Sequence, residues 1–148
     1  MAEQLYYEDV EEGTELPALV KHPTPRQLVM WAGASGDYYE IHYSKDFALS
    51  QGLPGIIVHG DLTGAFLAQF ITDWMGEGGT FKKLQTSNRG MLFPNEDTIC
   101  KGKVSKKYIQ NGEHYVECEV WAENTKGEKC VVGTALVTLP ARGSLATS

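Results

Sequence analysis

The chain has 148 residues, of which 42% are hydrophobic, and carries a formal net charge of −6. This length fits a single domain that can bury a core of its own. The acidic charge excludes nucleic acid as an expected partner, because sequence-independent binding to phosphate backbones relies on clustered Lys and Arg.

Cysteine usage and hydropathy indicate the cellular setting. The three cysteines are an odd number at spacings unlike those of a metal cluster or a disulfide framework, which indicates free thiols in a reducing compartment. No basic region precedes an apolar run at the N-terminus, and no stretch approaches the roughly 20 apolar residues of a membrane span. We therefore expect a cytoplasmic protein without a membrane partner.

The first third of the chain contains one clear helix. After an acidic segment, residues 16–20 predict a short strand. Thr24 and Pro25 then mark a helix start, since threonine can cap free backbone amides and proline suits the first helical position. Glycines between residues 33 and 36 end this helix. Residues 37–55 lack periodicity and predict an ordered loop, with one turn of helix over residues 45–50.

A second helix dominates the middle of the chain. Residues 60–75 carry apolar side chains over most of the helical circumference, so this helix must be buried. Four β-rich runs follow, over residues 81–93, 97–110, 114–124 and 129–139. Asn111-Gly112 predicts a tight hairpin between the second and third runs. The short connections predict antiparallel strands, since parallel strands need long crossovers.

These elements predict an α+β fold in which an antiparallel sheet curls around one long buried helix. We assign residues 1–140 to this single domain and residues 141–148 to a flexible C-terminal tail. Such a sheet leaves an edge strand unpaired, so pairing with a second copy or with a sister subunit would complete it.

An acidic and a basic side chain stand close together in the loop Ser35-Gly36-Asp37-Tyr38-Tyr39-Glu40-Ile41-His42. Asp37 and His42 are five residues apart in non-helical sequence and can hold one water molecule between them. A histidine titrates near pH 6.5 and exchanges protons at neutral pH. The free amides of the helix that starts at Gly60 can stabilise a developing negative charge. This combination predicts an acid/base site aimed at a polarised carbonyl.

The pattern Gly36-Asp37-x-x-x-x-His42, followed by Gly52-x-Pro54-Gly55-Ile56-Ile57-Val58-His59-Gly60, resembles the MaoC-like or (R)-specific enoyl-CoA hydratase family. The resemblance implies a hot-dog fold and the reversible syn addition of water across the trans double bond of a 2-enoyl-CoA thioester. It implies that Asp37 and His42 are the catalytic dyad and that the backbone N–H of Gly60 is the oxyanion donor.

The same resemblance implies the partners of the chain. Coenzyme A is part of the substrate, and no metal or other cofactor is needed. The expected assembly is a homodimer, or a heteromer with a second hot-dog subunit.

Two residues beside the motif, Tyr39 and His59, are candidate substrate-binding residues, although a purely structural role for His59 stays open. Many family members carry Asn and Pro where this chain has Tyr39 and Glu40, so we expect the acyl pocket to differ here. Asp61 follows Gly60 where members usually carry an apolar residue. A carboxylate there would oppose a nearby enolate, so we predict that it points away from the site.

Three other functions stay open on the sequence. The chain could be an acyl-binding or structural subunit of a heteromeric hydratase, although the presence of both Asp37 and His42 indicates the active chain of such a pair. It could be a hot-dog thioesterase in which Asp61 or Asp73 activates water. A metal hydrolase built from Asp37, His42 and His59 is the third, but the spacing of these residues is not distinctive of a metal site. No motif defines the acyl chain of the substrate.

Overall fold

The computed structural model describes residues 3–143 of the chain. Within this range, the α-helices are α1 (Pro25–Ser35), α2 (Lys45–Ser50) and α3 (Gly60–Met75). Two one-turn 3-10 helices lie at Tyr7–Asp9, before the first strand, and at Glu40–His42, between α1 and α2. The strands are β1 (Leu19–Lys21), β2 (Thr80–Asn88), β3 (Thr98–Gln110), β4 (Glu113–Glu123) and β5 (Lys129–Thr138). They form one antiparallel sheet in the order β1-β3-β4-β5-β2. No helix in residues 3–143 has both the length and the apolar character needed to cross a membrane.

Helix α1 begins and ends where the sequence predicts. The hydroxyl of Thr24 accepts a hydrogen bond from the backbone N–H of Gln27 at 3.2 Å, and a proline occupies the first helical position. At the other end Gly36 adopts a φ of +80°, which glycine tolerates, and its N–H donates to the Ala32 carbonyl at 3.0 Å. The chain therefore leaves α1 in a fixed direction one residue before Asp37.

The core lies between α3 and the inner face of the sheet. Helix α3 has the bounds predicted for it and is buried on several faces, through Leu62, Phe66, Leu67, Phe70, Ile71 and Met75. The strands contribute alternate residues to the same core, among them Val104, Val116, Val120 and Val137. This curled antiparallel sheet around a central helix confirms the predicted α+β hot-dog fold.

The hairpin predicted at Asn111-Gly112 joins β3 to β4. Both residues have positive φ angles, +52° and +77°. That pair of angles is typical of a type I′ turn, whose twist matches the twist of two paired strands. Gln110 pairs with Glu113 at the base of the turn, which confirms the predicted hairpin.

Two strand boundaries differ from the prediction by more than one residue. The strand predicted over residues 16–20 is shorter and starts later, because the strand that pairs with β3 is β1, Leu19–Lys21. The run predicted over residues 81–93 ends at Asn88. The next two amides, of Arg89 and Gly90, both donate to the carbonyl of Cys130, at 2.7 and 3.0 Å, and this turns the chain out of the sheet.

The described part of the predicted C-terminal tail packs on the N-terminal 3-10 helix. The guanidinium of Arg142 donates to the carboxylate of Asp9, and the Arg142 backbone N–H donates to Glu8 Oε2 at 3.2 Å. The same guanidinium lies 4.7 Å from the centre of the Tyr6 ring. Residues 144–148 of the predicted flexible tail lie outside the described residues.

Alanine substitution at two glycines should change the free energy of unfolding in opposite directions, and this tests the close approach of β2 and β5. A Cβ on Gly133 of β5 would lie 2.1 Å from the backbone oxygen of Gln85 in β2, so Gly133→Ala must push the two strands apart. We expect it to lower the free energy of unfolding by about 1–3 kcal/mol, the usual cost of overpacking. Urea denaturation measures this change.

Gly64→Ala in α3 is the matched control, because nothing lies within 4 Å of the Cβ that it adds. It should raise the free energy of unfolding by about 0.5–1 kcal/mol, since alanine favours the helix over glycine. A Gly133→Ala protein as stable as the Gly64→Ala protein would contradict the close approach of β2 and β5.

Candidate active site

The loop after α1 is shaped by short-range hydrogen bonds. The backbone N–H of Asp37 donates to Ser35 Oγ at 3.1 Å, and Asp37 Oδ1 accepts from the backbone N–H of Tyr39 at 3.3 Å. The 3-10 helix follows, with the His42 N–H bonded to the Tyr39 carbonyl at 3.1 Å. The five-residue spacing thus becomes a compact turn that brings the side chains of Asp37 and His42 together.

The extended segment before α3 lies alongside this loop. The N–H of Ile57 donates to the Ile41 carbonyl at 3.1 Å, and the N–H of Val58 donates to the Leu92 carbonyl at 2.8 Å. The segment is therefore bonded to the loop on one side and to the chain beyond β2 on the other. Because α3 starts two residues later, the N-terminus of the central helix is fixed relative to the loop.

His42 is buried, and its Nδ1 lies 2.8 Å from the carbonyl oxygen of Ile57. A carbonyl oxygen can only accept, so Nδ1 carries the proton of this hydrogen bond. In the neutral ring the lone pair is then on Nε2. The Ile57 carbonyl thus holds His42 in the tautomer whose Nε2 can take a proton from water.

His59 occupies the N-cap position of α3 with 0% of its surface exposed. Its ring stacks on the ring of His42, with centroids 3.8 Å apart and planes 20° apart. Its Nε2 donates to the backbone carbonyl of Asp37 at 3.3 Å. His59 therefore contacts both residues of the predicted dyad and offers no surface to a substrate. This placement favours a positioning role over the substrate contact that the sequence analysis assigned to it.

Burial lowers the pKa of His59 below its usual value, and the positive charge that His42 can carry lowers it further. The hydrogen bond to the Asp37 carbonyl and the carboxylates of Asp37 and Asp61 act in the opposite direction with smaller effect. His59 is thus neutral near pH 7, because the ordinary histidine pKa is already about 6.5. Of the two stacked rings, that of His59 therefore carries no positive charge near pH 7.

A carboxylate and two imidazoles this close could also hold a metal ion. A carboxylate oxygen of Asp37 and one ring nitrogen each of His42 and His59 lie within 4.8 Å of one another. Imidazole lone pairs, however, lie in the ring plane, and a metal must sit in that plane at about 2.1 Å from the nitrogen. Two rings stacked 3.8 Å apart do not share such a position. The arrangement favours acid/base chemistry over metal coordination.

A cavity of about 320 Å³ opens beside His42 at the start of α3. Its walls are mostly apolar, and both His42 and Gly60 line it. The first hydrogen bond of α3 runs from the Thr63 N–H to the His59 carbonyl at 3.1 Å, and the N–H of Gly60 has no partner within residues 3–143. This free amide, at the positive end of the helix dipole, is a donor for an anionic oxygen in the cavity.

Tyr39 and Asp61 lie at the edge of this arrangement. Tyr39 is 53% exposed, and its ring meets the rings of His42 and Phe47 edge-on, with centroids 6.2 and 6.0 Å apart. It remains a candidate for substrate contact, since it is an exposed aromatic surface next to His42. Asp61 is exposed and does not line the cavity, but its carboxylate is close enough to raise the pKa of His59, so the direction predicted for it stays a prediction.

Two polar residues of this cavity, Thr63 and Asn88, were not predicted from the sequence. Asn88 is the last residue of β2, and its carboxamide covers Gly60: a Cβ on Gly60 would lie 2.5 Å from Asn88 Nδ2. No motif marks this residue. The nearest signal is Gly90, two positions later, which indicates a strand end but says nothing of the distance to residue 60.

A family model described as a MaoC like domain matches residues 9–126 of the chain. The chain belongs to the MaoC-like domain family. This confirms the resemblance carried by the loop and helix-start motifs. The solved structure of the R-hydratase PhaJ1 from Pseudomonas aeruginosa has the same fold, with a TM-score of 0.84 and 23% identity, over 94% of this chain and 88% of that one.

Two relatives show different settings of the MaoC-like domain. The fatty acid synthase subunit beta of Schizosaccharomyces pombe is 33% identical over 121 residues, which are 79% of this chain but only 6% of that subunit. The beta subunit of the 3-oxo-4,17-pregnadiene-20-carboxyl-CoA hydratase of Mycobacterium tuberculosis is 28% identical over 133 residues, 89% of this chain and 97% of that subunit. The chain thus matches a small part of one relative and almost the whole of the other.

The buried neutral ring of His59 makes stability depend on pH. Because folding lowers its pKa, the unfolded chain binds more protons than the folded chain once the pH falls below about 6.5. Stability is therefore full above that pH and decreases as the pH falls toward the folded pKa. His59→Gln should flatten this slope between about pH 7 and 5, as measured by urea unfolding at a series of pH values.

His22→Gln is the control for this slope, because His22 is an exposed histidine paired with Asp97 at 2.8 Å. It leaves His59 in place and should leave the His59 contribution unchanged. If His59→Gln and His22→Gln gave the same profile as the original protein, the buried stacked ring would not be the source of the acid sensitivity.

Proposed function

We propose that this MaoC-like domain is a hydratase that adds water reversibly to a trans-2-enoyl thioester. The carrying observation is the pairing of Asp37 with His42, a carboxylate oxygen within 4.8 Å of a ring nitrogen. The tautomer fixed by Ile57 and the cavity shared with Gly60 support the same reaction. The chain belongs to the MaoC-like domain family, and one of its relatives is named as a hydratase subunit; both facts fit the proposal.

The proton transfers follow from the tautomer of His42. Water lies between the Asp37 carboxylate, which accepts a hydrogen bond from it, and His42 Nε2, which takes its proton as the oxygen attacks the β-carbon. The Ile57 carbonyl, 2.8 Å from Nδ1, stabilises the imidazolium that forms. The same proton then passes from Nε2 to the α-carbon on the same face, which gives syn addition. The (R) configuration of the 3-hydroxyacyl product is proposed from the resemblance to the (R)-specific hydratases.

The electrons displaced by the attack move to the thioester oxygen and form an enolate. The N–H of Gly60 is the proposed donor to that oxygen, because it is free within the described residues and lines the cavity. Donors that are in place before the reaction need no reorganisation, and losing one costs roughly 3–4 kcal/mol of transition-state stabilisation.

The substrate class rests on the thioester and on the relatives. One relative is named as a subunit of a carboxyl-CoA hydratase and another as a fatty acid synthase subunit. The first name supports an acyl-CoA substrate, in which coenzyme A is part of the substrate and no further cofactor is needed. An acyl-carrier-protein thioester is the alternative, and in either case we propose that Tyr39 contacts the acyl thioester. The three cysteines are free and buried, which supports a reducing, cytoplasmic setting.

A thioesterase is less well supported by this geometry. Asp61 and Asp73, the carboxylates that could activate water for hydrolysis, are both exposed. Neither belongs to the group formed by Asp37, His42 and His59, whose carboxylate oxygen and ring nitrogens lie within 4.8 Å of one another. The two roles also differ in product, since hydrolysis releases a free thiol and hydration does not.

A second subunit is the other part of the proposal. Strand β2 pairs with β5 on one side only and lies at the edge of the sheet, with most of its residues exposed. An edge of nine residues is a template for pairing with another strand. A copy of this chain can supply that strand, and the name of the M. tuberculosis relative, a hydratase beta subunit, supports a sister subunit as the alternative.

Native mass measurement of the purified chain tests the assembly. We expect a dimer of the 16.3 kDa chain. A stable monomer that becomes active only after a second hot-dog subunit is added would support the heteromer. A monomer that is fully active alone would contradict both assemblies.

The hydratase proposal predicts loss of enoyl absorbance when the protein is mixed with crotonyl-CoA, or with longer, branched or steroid-chain enoyl-CoAs. Asp37→Asn and His42→Ala should each lower kcat by about 10²–10⁴-fold, the usual contribution of a positioned acid or base. Circular dichroism should show that both variants keep the fold, since neither change touches the core between α3 and the sheet.

Asp73→Asn is the matched control, because it removes an exposed carboxylate outside the cavity. It should keep the full rate. Retained turnover by Asp37→Asn or His42→Ala would remove those residues from the mechanism. Release of free coenzyme A, lost in Asp73→Asn, would instead establish the thioesterase.

A further inference from the structure

Three polar side chains line the cavity, those of His42, Thr63 and Asn88. The proton on His42 Nδ1 is donated to the Ile57 carbonyl at 2.8 Å, and the hydroxyl of Thr63 donates to the His59 carbonyl at 3.2 Å. Within residues 3–143 the Asn88 carboxamide makes no hydrogen bond. Asn88 is an exposed residue, so its N–H donors are the ones in the cavity that water or a substrate can reach.

The position of Asn88 is fixed by the strand that carries it. Its backbone pairs with Val131 of β5, and the next two amides both donate to the carbonyl of Cys130. A Cβ on Gly60 would lie 2.5 Å from Asn88 Nδ2 and 2.9 Å from its Oδ1. The carboxamide thus lies directly over the residue whose N–H is the proposed oxyanion donor.

We propose that Asn88 donates a hydrogen bond from Nδ2 to the thioester oxygen of the substrate, next to the Gly60 N–H. This inference rests on the proposed hydratase function. An enolate oxygen can accept more than one hydrogen bond, and one helix amide satisfies only one of them. The neutral carboxamide of Asn88 would supply a second hydrogen bond to the same oxygen.

A structural use of the same residue makes a different prediction. As a cap for α3, Asn88 would accept from a free helix amide through Oδ1, and Asp would cap equally well. As an oxyanion donor it needs the N–H group, and Asp would both lack it and oppose the negative charge of the enolate. Asn88→Asp therefore separates the two roles.

Kinetics with crotonyl-CoA give the first test. Asn88→Leu should lower kcat by about 100-fold with little change in KM, the usual effect of losing one oxyanion donor. Asn88→Asp should lower kcat further, and Asn88→Gln should recover part of the rate. The pH profile should not shift, since Asp37 and His42 still carry the proton transfers. Full activity of Asn88→Asp would overturn the proposal.

Gln85→Glu is the matched control for Asn88→Asp. It makes the same change of amide to carboxylate on the same strand, but an odd number of residues away, so its side chain projects from the opposite face. Gln85 does not line the cavity beside His42. Because β2 is also the proposed pairing edge, native mass measurement must first show that Gln85→Glu keeps the assembly of the original protein. Gln85→Glu should then keep kcat, and an equal loss in both variants would show that the effect comes from charge on β2 rather than from the donor.

The carbonyl itself gives a test that does not depend on turnover. The Asp37→Asn protein should bind crotonyl-CoA without converting it, so the bound substrate can be studied with ¹³C at its thioester carbonyl. Hydrogen bonds to that carbonyl should place its infrared band at lower wavenumber than in water. Adding Asn88→Leu, or Gly60→Ala, whose Cβ displaces the carboxamide, should return the band toward the value in water.

An identical band with and without Asn88 would overturn the proposed donor, while turnover by the original protein would leave the hydratase function intact. Failure of Asp37→Asn to bind crotonyl-CoA, together with an inactive original protein, would overturn both.

Discussion

The site depends on one two-way connection between Ile57 and the end of the 3-10 helix. The Ile57 N–H donates to the Ile41 carbonyl, and the Ile57 carbonyl accepts from His42 Nδ1. The first bond fixes the loop against the segment before α3, and the second fixes the orientation and tautomer of the imidazole. Asp37 and His42 keep a fixed arrangement because the extended segment is hydrogen-bonded to their loop on one side and to the Leu92 carbonyl on the other.

The buried helix explains why such a segment is available. Helix α3 is apolar on most faces, so the sheet must curl around it, and its polar N-terminus is left at the end of the core. His59 fills that position by stacking on His42 and donating from Nε2 to the Asp37 carbonyl, while its Nδ1 is buried without a hydrogen-bond partner among residues 3–143. The same ring therefore closes the core and supports the proposed chemistry.

Local signals in the sequence predicted much of this. Thr24 and Gly36 mark the ends of α1, the apolar circumference marks α3, and Asn111-Gly112 marks the hairpin, because caps, periodicity and turn chemistry act over a few residues. The end of β2 at Asn88, the stacking of His59 and the tautomer of His42 were not predictable. Each depends on a contact between segments far apart in the chain, such as the Cys130 carbonyl that receives Arg89 and Gly90.

The cavity has two walls with separate supports. The dyad is held by the loop after α1 and by Ile57, whereas Asn88 and the residues after it belong to the edge strand β2 and the turn that follows. Under the proposed function, substitutions at Met91 in that second wall would reshape the space for an acyl group, while Asp37 and His42 keep their own hydrogen-bonded support. A fold arranged in this way separates the residues that would select a substrate from those that would transfer protons.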